Sequence, residues 1–195
     1  MKSSTTASSK RRLLSVATLL LLLTTRCAWG ETISEAQWLQ LKELRGIFSG
    51  NTSGTPTAYI FFDPNCPYSA KLNTNGFGLP GVNSQRVMWI PVAYLRPTSA
   101  SKAAALLRSG TYEAIIQNYR NFNYAKYTGS IEGVTPTAEE TRAIDASIAA
   151  WTAMSSSPGT PMIVYRDKLG ALQVQLGLPS EQAHDTERTM GAYEQ

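Results

Sequence analysis

Cys66, Pro67, Tyr68 and Ser69 are the residues whose types and spacing could do chemistry. They follow Asp63-Pro64, a pair that stops an extended segment, and the proline after the cysteine reads as the opening of a helix. A thiol at such a junction meets the unpaired backbone N–H groups of the first helical turn and the positive end of its dipole. Both favour the thiolate, which is the nucleophilic form. Pro67 suits that turn because its missing N–H costs nothing there. Ser69, three residues on, has a hydroxyl that could donate to the thiolate but cannot itself exchange disulfides. Taken alone, Cys66 reads better as a buried structural cysteine.

The surrounding elements must hold that thiol in place. Tyr59-Ile60-Phe61-Phe62 reads as a buried strand by its length and its aromatic and β-branched content. Val87 to Leu95 is a second apolar strand, although Pro91 within it points to a sheet edge. Ser34 is a plausible cap for an earlier helix carrying Trp38, Leu41, Leu44 and Phe48 at helical spacing, ended by Gly46 and by Gly50 to Gly54. After Leu95-Arg96-Pro97, residues 98–154 read as helical. Thr98 or Ser99 caps the run Lys102 to Leu107, and Tyr112, Ile115, Ile116 and Tyr119 mark a second helix. Thr137-Ala138-Glu139-Glu140 is a capping box opening a third, with Ile144, Ile148 and Trp151 on one face. The aromatic series Tyr119, Phe122, Tyr124 and Tyr127 reads either as core plus loop or as a ligand surface. Gly159 to Tyr165 starts a further strand, Arg166 to Gly170 is a hairpin turn, and Ala171 to Gly177 alternates as a strand should. Leu178-Pro179 breaks it, and Ser180 caps a polar terminal helix.

Asp63-Pro64-Asn65-Cys66-Pro67-Tyr68-Ser69 resembles the active-site stretch of the bacterial periplasmic disulfide isomerases DsbC and DsbG, whose pattern is Asp-Pro-x-Cys-Pro-Tyr-Cys. Gly159-Thr160-Pro161 matches the second motif of that family. The resemblance implies an α/β thioredoxin fold with a helical insertion at about 98–154, preceded by a linker-type helix. The thioredoxin-like domain would span 55–195, and 31–54 would form the helix and linker. It further implies that the Val87 strand lies in the core and that Thr160-Pro161 is a cis bond facing Cys66 and binding the substrate backbone. Asp63 and Pro64 would shape the turn, and Tyr68 would line the site. Two departures matter. Ser69 stands where the family has its second cysteine, so no disulfide can be stored at this site and an oxidant's role is excluded. The family's N-terminal dimerisation domain also has no room, since only about thirty-five residues separate the expected start of the mature chain from Cys66.

That start follows from the first thirty residues. Lys2, Lys10, Arg11 and Arg12 precede an apolar run from Leu13 to Leu23, and Ala28-Trp29-Gly30 supplies small residues for cleavage. This is a secretory signal peptide over 1–30; the run is too short to span a bilayer comfortably as an anchor. Cys27 raises lipoprotein processing, but Arg26 sits where a small residue is needed. Cleavage removes five of the 18 basic residues and none of the 14 acidic ones, leaving thirteen against fourteen. The basic sequence pI is thus the signal's property and no argument for nucleic-acid binding. Cys66 is left as the one cysteine of the exported chain, in an oxidising compartment. Asn51-Thr52-Ser53 matches a glycosylation sequon and reads as loop.

The sequence therefore points to a periplasmic thiol–disulfide exchange protein, acting on oxidised or misbridged cysteines of exported proteins. Cys66 would be its nucleophile with Ser69 beside it, and an external thiol its reductant. No cofactor, metal, nucleic-acid partner or membrane span after cleavage is expected. The lone His184 lies on the polar terminal helix, and without a second histidine or another cysteine a zinc site lacks ligands. The rival expectation is a non-catalytic thioredoxin-fold chaperone or assembly factor of a secretion or conjugation apparatus.

Overall fold

The computed structural model describes residues 33–50, 53–74, 86–167 and 169–178. The expected signal peptide, Cys27, the sequon's Asn51 and Thr52, the loop expected after the Cys66 helix, Lys168, the helix expected from Ser180 and His184 lie outside them.

A five-stranded mixed sheet carries the molecule. In chain order its strands are β1 (Ile47–Ser49), β2 (Ala58–Phe62), β3 (Val87–Pro91), β4 (Met162–Arg166) and β5 (Leu172–Leu176). They lie side by side as β1-β3-β2-β4-β5. β2 and β3 run parallel, with Ile60 opposite Trp89; every other pair is antiparallel. All five residues of β2 and all five of β3 are buried, because both sheet faces are covered.

The period of two sorts the side chains. Ala58, Ile60 and Phe62 go to one face with Val87, Trp89, Ile163 and Tyr165, while Tyr59 and Phe61 go to the other with Met88, Ile90, Met162 and Val164. α2 (Pro67–Thr74), α3 (Ser99–Ser109) and α4 (Tyr112–Arg120) close the first face through Ala70, Leu72, Leu106, Ile115 and Tyr119. α1 (Glu35–Leu41) and α5 (Ala138–Ala153) close the second through Trp38, Leu41 and Trp151. Three helices thus stand between β3 and β4, as expected for the insertion. They do not fill 98–154: the chain from Asn121 to Thr137 is loop, with a single bridge between Asn123 and Thr128. The aromatic series divides accordingly. Tyr119 and Phe122 are core, whereas Tyr124 and Tyr127 are exposed.

α1 is shorter than its apolar spacing suggested. The capping box of Ser34 and Gln37 opens it, but it ends at Leu41, and Phe48 lies on an edge strand. The reason is Gly46. A Cβ there would lie 2.8 Å from the Trp89 carbonyl, so only glycine lets the chain come close enough to β3 for β1 to pair. A seven-residue helix is marginal alone; this one is held by Trp38 edge-on against Tyr59 (4.8 Å) and by Arg166 on Glu35.

Pro91 also finds its explanation. β1 pairs with β3 only from Val87 to Trp89, so the missing Pro91 N–H falls beyond the last β1 partner. On the other side the ladder continues undisturbed, with the Val92 N–H donating to the Phe62 carbonyl at 2.9 Å. A proline in a core strand is thereby tolerated.

Candidate functional site

β2 delivers the site. Its last residue, Phe62, is followed by Asp63, Pro64 and Asn65, all buried, and then by Cys66 immediately before α2. Pro67 is the first helical residue, as its geometry favours. The Cys66 N–H donates to the Asp63 carbonyl (2.9 Å), and the Ala70 N–H donates to the Cys66 carbonyl (3.0 Å), which fixes the thiol at the helix entrance.

Two groups face the sulfur. The Ser69 backbone N–H points at Sγ at 3.5 Å, and the thiol donates to the Thr160 carbonyl at 3.2 Å. The Thr160–Pro161 bond is cis. The two sequence motifs, 94 positions apart, therefore meet at the sulfur. Cys66 is only 2% exposed. The thiol proton is engaged by a carbonyl, and the sulfur lone pair faces an amide. For the sulfur to attack, that proton must leave and Sγ must turn from Thr160 toward the entrance. The Ser69 hydroxyl does not take the place expected for it: it is buried, makes no hydrogen bond of good geometry among the described residues, and lies beside the Tyr119 hydroxyl. What Ser69 offers the sulfur is its main chain.

Asp63 is the anchor of the loop. Its carboxylate is fully buried and accepts four hydrogen bonds: from the Asn65 N–H and the Ser99 hydroxyl on Oδ1 (both 2.8 Å), and from the Tyr94 and Leu95 N–H groups on Oδ2 (2.9 and 3.0 Å). The Tyr119 hydroxyl donates to the Asp63 carbonyl (2.9 Å), and Asn118 Nδ2 donates to the Pro64 carbonyl (3.0 Å). Burial pushes the Tyr119 phenol well above its ordinary range, and charge on Cys66 and Asp63 acts in the same direction. Gly129 packs directly on this brace: a Cβ there would lie 2.5 Å from the Pro64 carbonyl.

The rim is aromatic. Tyr68, on the first turn of α2, is 56% exposed with Lys71 Nζ 5.6 Å from its ring centroid. Tyr94 stacks on Trp151 (4.6 Å between centroids), and its hydroxyl is 3.0 Å from Thr160 Oγ1. Trp151 Nε1 donates to the Gly159 carbonyl at 3.0 Å, so both rings brace the loop that faces Cys66. Burial raises the Tyr94 phenol above its ordinary value; the Thr160 hydrogen bond opposes this, while charge on Cys66 and Asp63 adds to it.

The structure thus brings together Cys66, Ser69, Asp63, Pro64, Pro67, Tyr68, Thr160 and Pro161. Sequence reasoning missed Asn65, Tyr94, Ser99, Asn118, Thr128 and Lys102, all of which contact the motif or its supports. Asn65 stood in the sequence only at the variable position of the motif, and the others carried no signal of these contacts. Among the described residues no group of three His, Cys, Asp or Glu side chains could hold a metal, and no helix is long and apolar enough to cross a membrane.

No protein-family model matches the chain. In sequence it is similar to the thiol:disulfide interchange protein DsbG of Pseudomonas aeruginosa, 25% identical over 150 residues, covering 75% of this chain and 56% of that protein. The chain therefore spans about half the length of the curated relative it matches. In structure it is similar to a periplasmic thioredoxin-like protein from Salmonella enterica serovar Typhimurium (TM-score 0.55, 14% identity, 80% of this chain and 96% of that one). It is similar also to Proteus mirabilis ScsC in a compact conformation (TM-score 0.56, 13% identity, 80% of each chain). The fold of this chain is the thioredoxin-like fold found in periplasmic thiol–disulfide exchange proteins.

Proposed function

We propose that the protein is an exported thiol–disulfide exchange protein of the DsbC/DsbG kind, working in the periplasm with Cys66 as its single nucleophile. The observation that carries this reading is the seat of Cys66: a thiol at the entrance of α2, with a backbone N–H on one side and the carbonyl of the residue before cis-Pro161 on the other. In the proposed reaction the Cys66 thiolate attacks one sulfur of a wrong disulfide in an exported protein. A mixed disulfide forms, and the second substrate sulfur leaves as a thiolate, which takes up a proton. Ser69 cannot resolve that adduct. Either a different thiolate of the substrate displaces Cys66, which completes an isomerisation, or an external thiol attacks the Cys66 sulfur and releases the substrate reduced, after which a second equivalent of that thiol frees Cys66 and leaves as the external disulfide. Thr160 and Pro161 bind the substrate backbone, and Tyr68 lines the approach.

Incubating the purified protein with a scrambled disulfide protein tests this. A covalent adduct through Cys66 is expected, released by a reducing thiol and lost in Cys66→Ala. Absence of any adduct with the native protein would sink the reading. One observation favours a second reading, a chaperone or assembly factor that binds without turnover: Cys66 is almost fully buried. On that reading Cys66→Ala keeps client binding.

A further inference from the structure

Asn65 occupies the variable position of the motif, immediately before the nucleophile, yet its side chain is 1% exposed and uses every hydrogen-bonding site it has. Nδ2 donates to Thr98 Oγ1 and Ser99 Oγ, both at 3.1 Å. Oδ1 accepts from the Thr128 hydroxyl at 2.9 Å and from the Gly129 N–H at 3.2 Å. The chain goes on. Lys102 of α3, only 8% exposed, donates from Nζ to Thr128 Oγ1 (3.1 Å) and to the Gly129 carbonyl. Among the described residues no carboxylate forms an ion pair with it. Burial lowers its ammonium below its ordinary range. A buried cation is retained here at a cost, and what it holds is the Thr128-Gly129 turn.

We propose that Asn65 and Thr128 are positioning residues that keep the Cys66 thiol seated against the Thr160 carbonyl, so that the helical insertion sets how readily the sulfur is reached. The geometry is direct. Cys66 meets the Ser69 N–H within its own helical turn, a contact that survives any movement of the loop as a unit. It meets Thr160 across the site, and that contact requires the loop to be held from outside α2. The outside support on Asn65 comes from the start of α3 and from the turn at 128–129. The proposal rests on the exchange reading only in giving the seat a purpose: a guarded thiol opens to a docked substrate and resists small oxidants.

Alkylation of the full protein by iodoacetamide at fixed pH, read by mass on the peptide carrying Cys66, tests it. Thr128→Val keeps the shape and removes the hydroxyl shared by Lys102 and Asn65. It is expected to label about tenfold faster, the effect of about 1.4 kcal/mol on the opening equilibrium. Thr128→Ser, which restores the hydroxyl, should return to the wild-type rate, and Lys102→Met should accelerate labelling as Thr128→Val does. The acceleration should be independent of urea well below the unfolding transition, because local opening exposes little surface. A Thr128→Val rate at or below wild type would overturn the proposal. So would a Thr128→Ser rate as fast as Thr128→Val, or an acceleration that grows steeply with urea. A thiol that labels in no variant until the protein unfolds would overturn both this proposal and the exchange reading. Loss of the substrate adduct with the labelling pattern intact would overturn the exchange reading alone.

Discussion

Replacing Asp63 by asparagine changes one oxygen for an amide nitrogen and removes a buried charge that meets four donors. The amide has two orientations. With Nδ2 in the place of Oδ2, it confronts the Tyr94 and Leu95 N–H groups, and two backbone donors lose their acceptor. With Nδ2 in the place of Oδ1, the Asn65 N–H loses its acceptor, and the Ser99 hydroxyl, which already accepts from Asn65 Nδ2 and the Arg96 N–H, can accept from the new amide only by giving up one of them. Either orientation leaves two donors unpaired, at about 1–3 kcal/mol each, and weakens the bonds that remain from charge-assisted to neutral strength. Relief from burying a carboxylate offsets part of this. The net loss comes to about 2–4 kcal/mol of stability, or about 5–15 °C in Tm for a chain of this size. Urea unfolding at neutral pH, followed by tryptophan fluorescence, measures it as a lower midpoint with unchanged slope. A loss under about 0.5 kcal/mol would refute the reasoning, because it would mean that the carboxylate's four bonds do not hold the loop to the chain after β3.

Three further outcomes can be checked on the same instrument. Tyr59→Phe should leave stability unchanged or raise it by about 1 kcal/mol, because the Tyr59 hydroxyl is buried without a partner among the described residues and burial lifts its pKa to about 12. Tyr119→Phe, which takes one of its two donors from the Asp63 carbonyl, should lower it, and equal effects from the two would contradict this account. On acidification, the Arg108 guanidinium and the Thr137 cap hold Glu140 at about 2, down from 4.5. A depressed carboxyl contributes stability that is complete above about 4.5 and is lost as pH falls toward 2. Glu140→Gln should flatten the unfolding curve in that window, and an unaltered acid limb would refute the assignment.

What was legible in the sequence was local. The strand ending at Phe62 and the proline-started helix each depend on neighbours within a few positions, as do the capping boxes at Ser34 and Thr137. The pairing of Cys66 with Thr160 was legible only because two motifs resembled one family's. The extent of α1 was not legible. Leu44 and Phe48 continue its spacing, but the demand for close approach at Gly46 comes from β3, which no periodicity reveals. Pro91 argued for an edge, and its harmlessness depends on where β1 stops. The roles of Asn65, Thr128 and Lys102 arise wholly from long-range placement, so their spacing carried no sign of them.

The supports of the Cys66 loop also fix an order of events. Every partner that holds Asp63, Pro64 and Asn65 from beyond the motif lies 31 to 64 positions further along the chain, and the carbonyl facing the sulfur lies 94 positions on. Contacts of such separation form late, since the entropy of closing each loop must be met before any contact rewards it. Cys66 is therefore made early and housed last. Throughout that interval it is an open thiol on an unfolded chain, ready to be captured by any oxidant or disulfide it meets. After Gly30 no second cysteine stands in the chain to trap it internally. A wrong bond made then joins the protein to something else, and a passing thiol can undo it before the core closes.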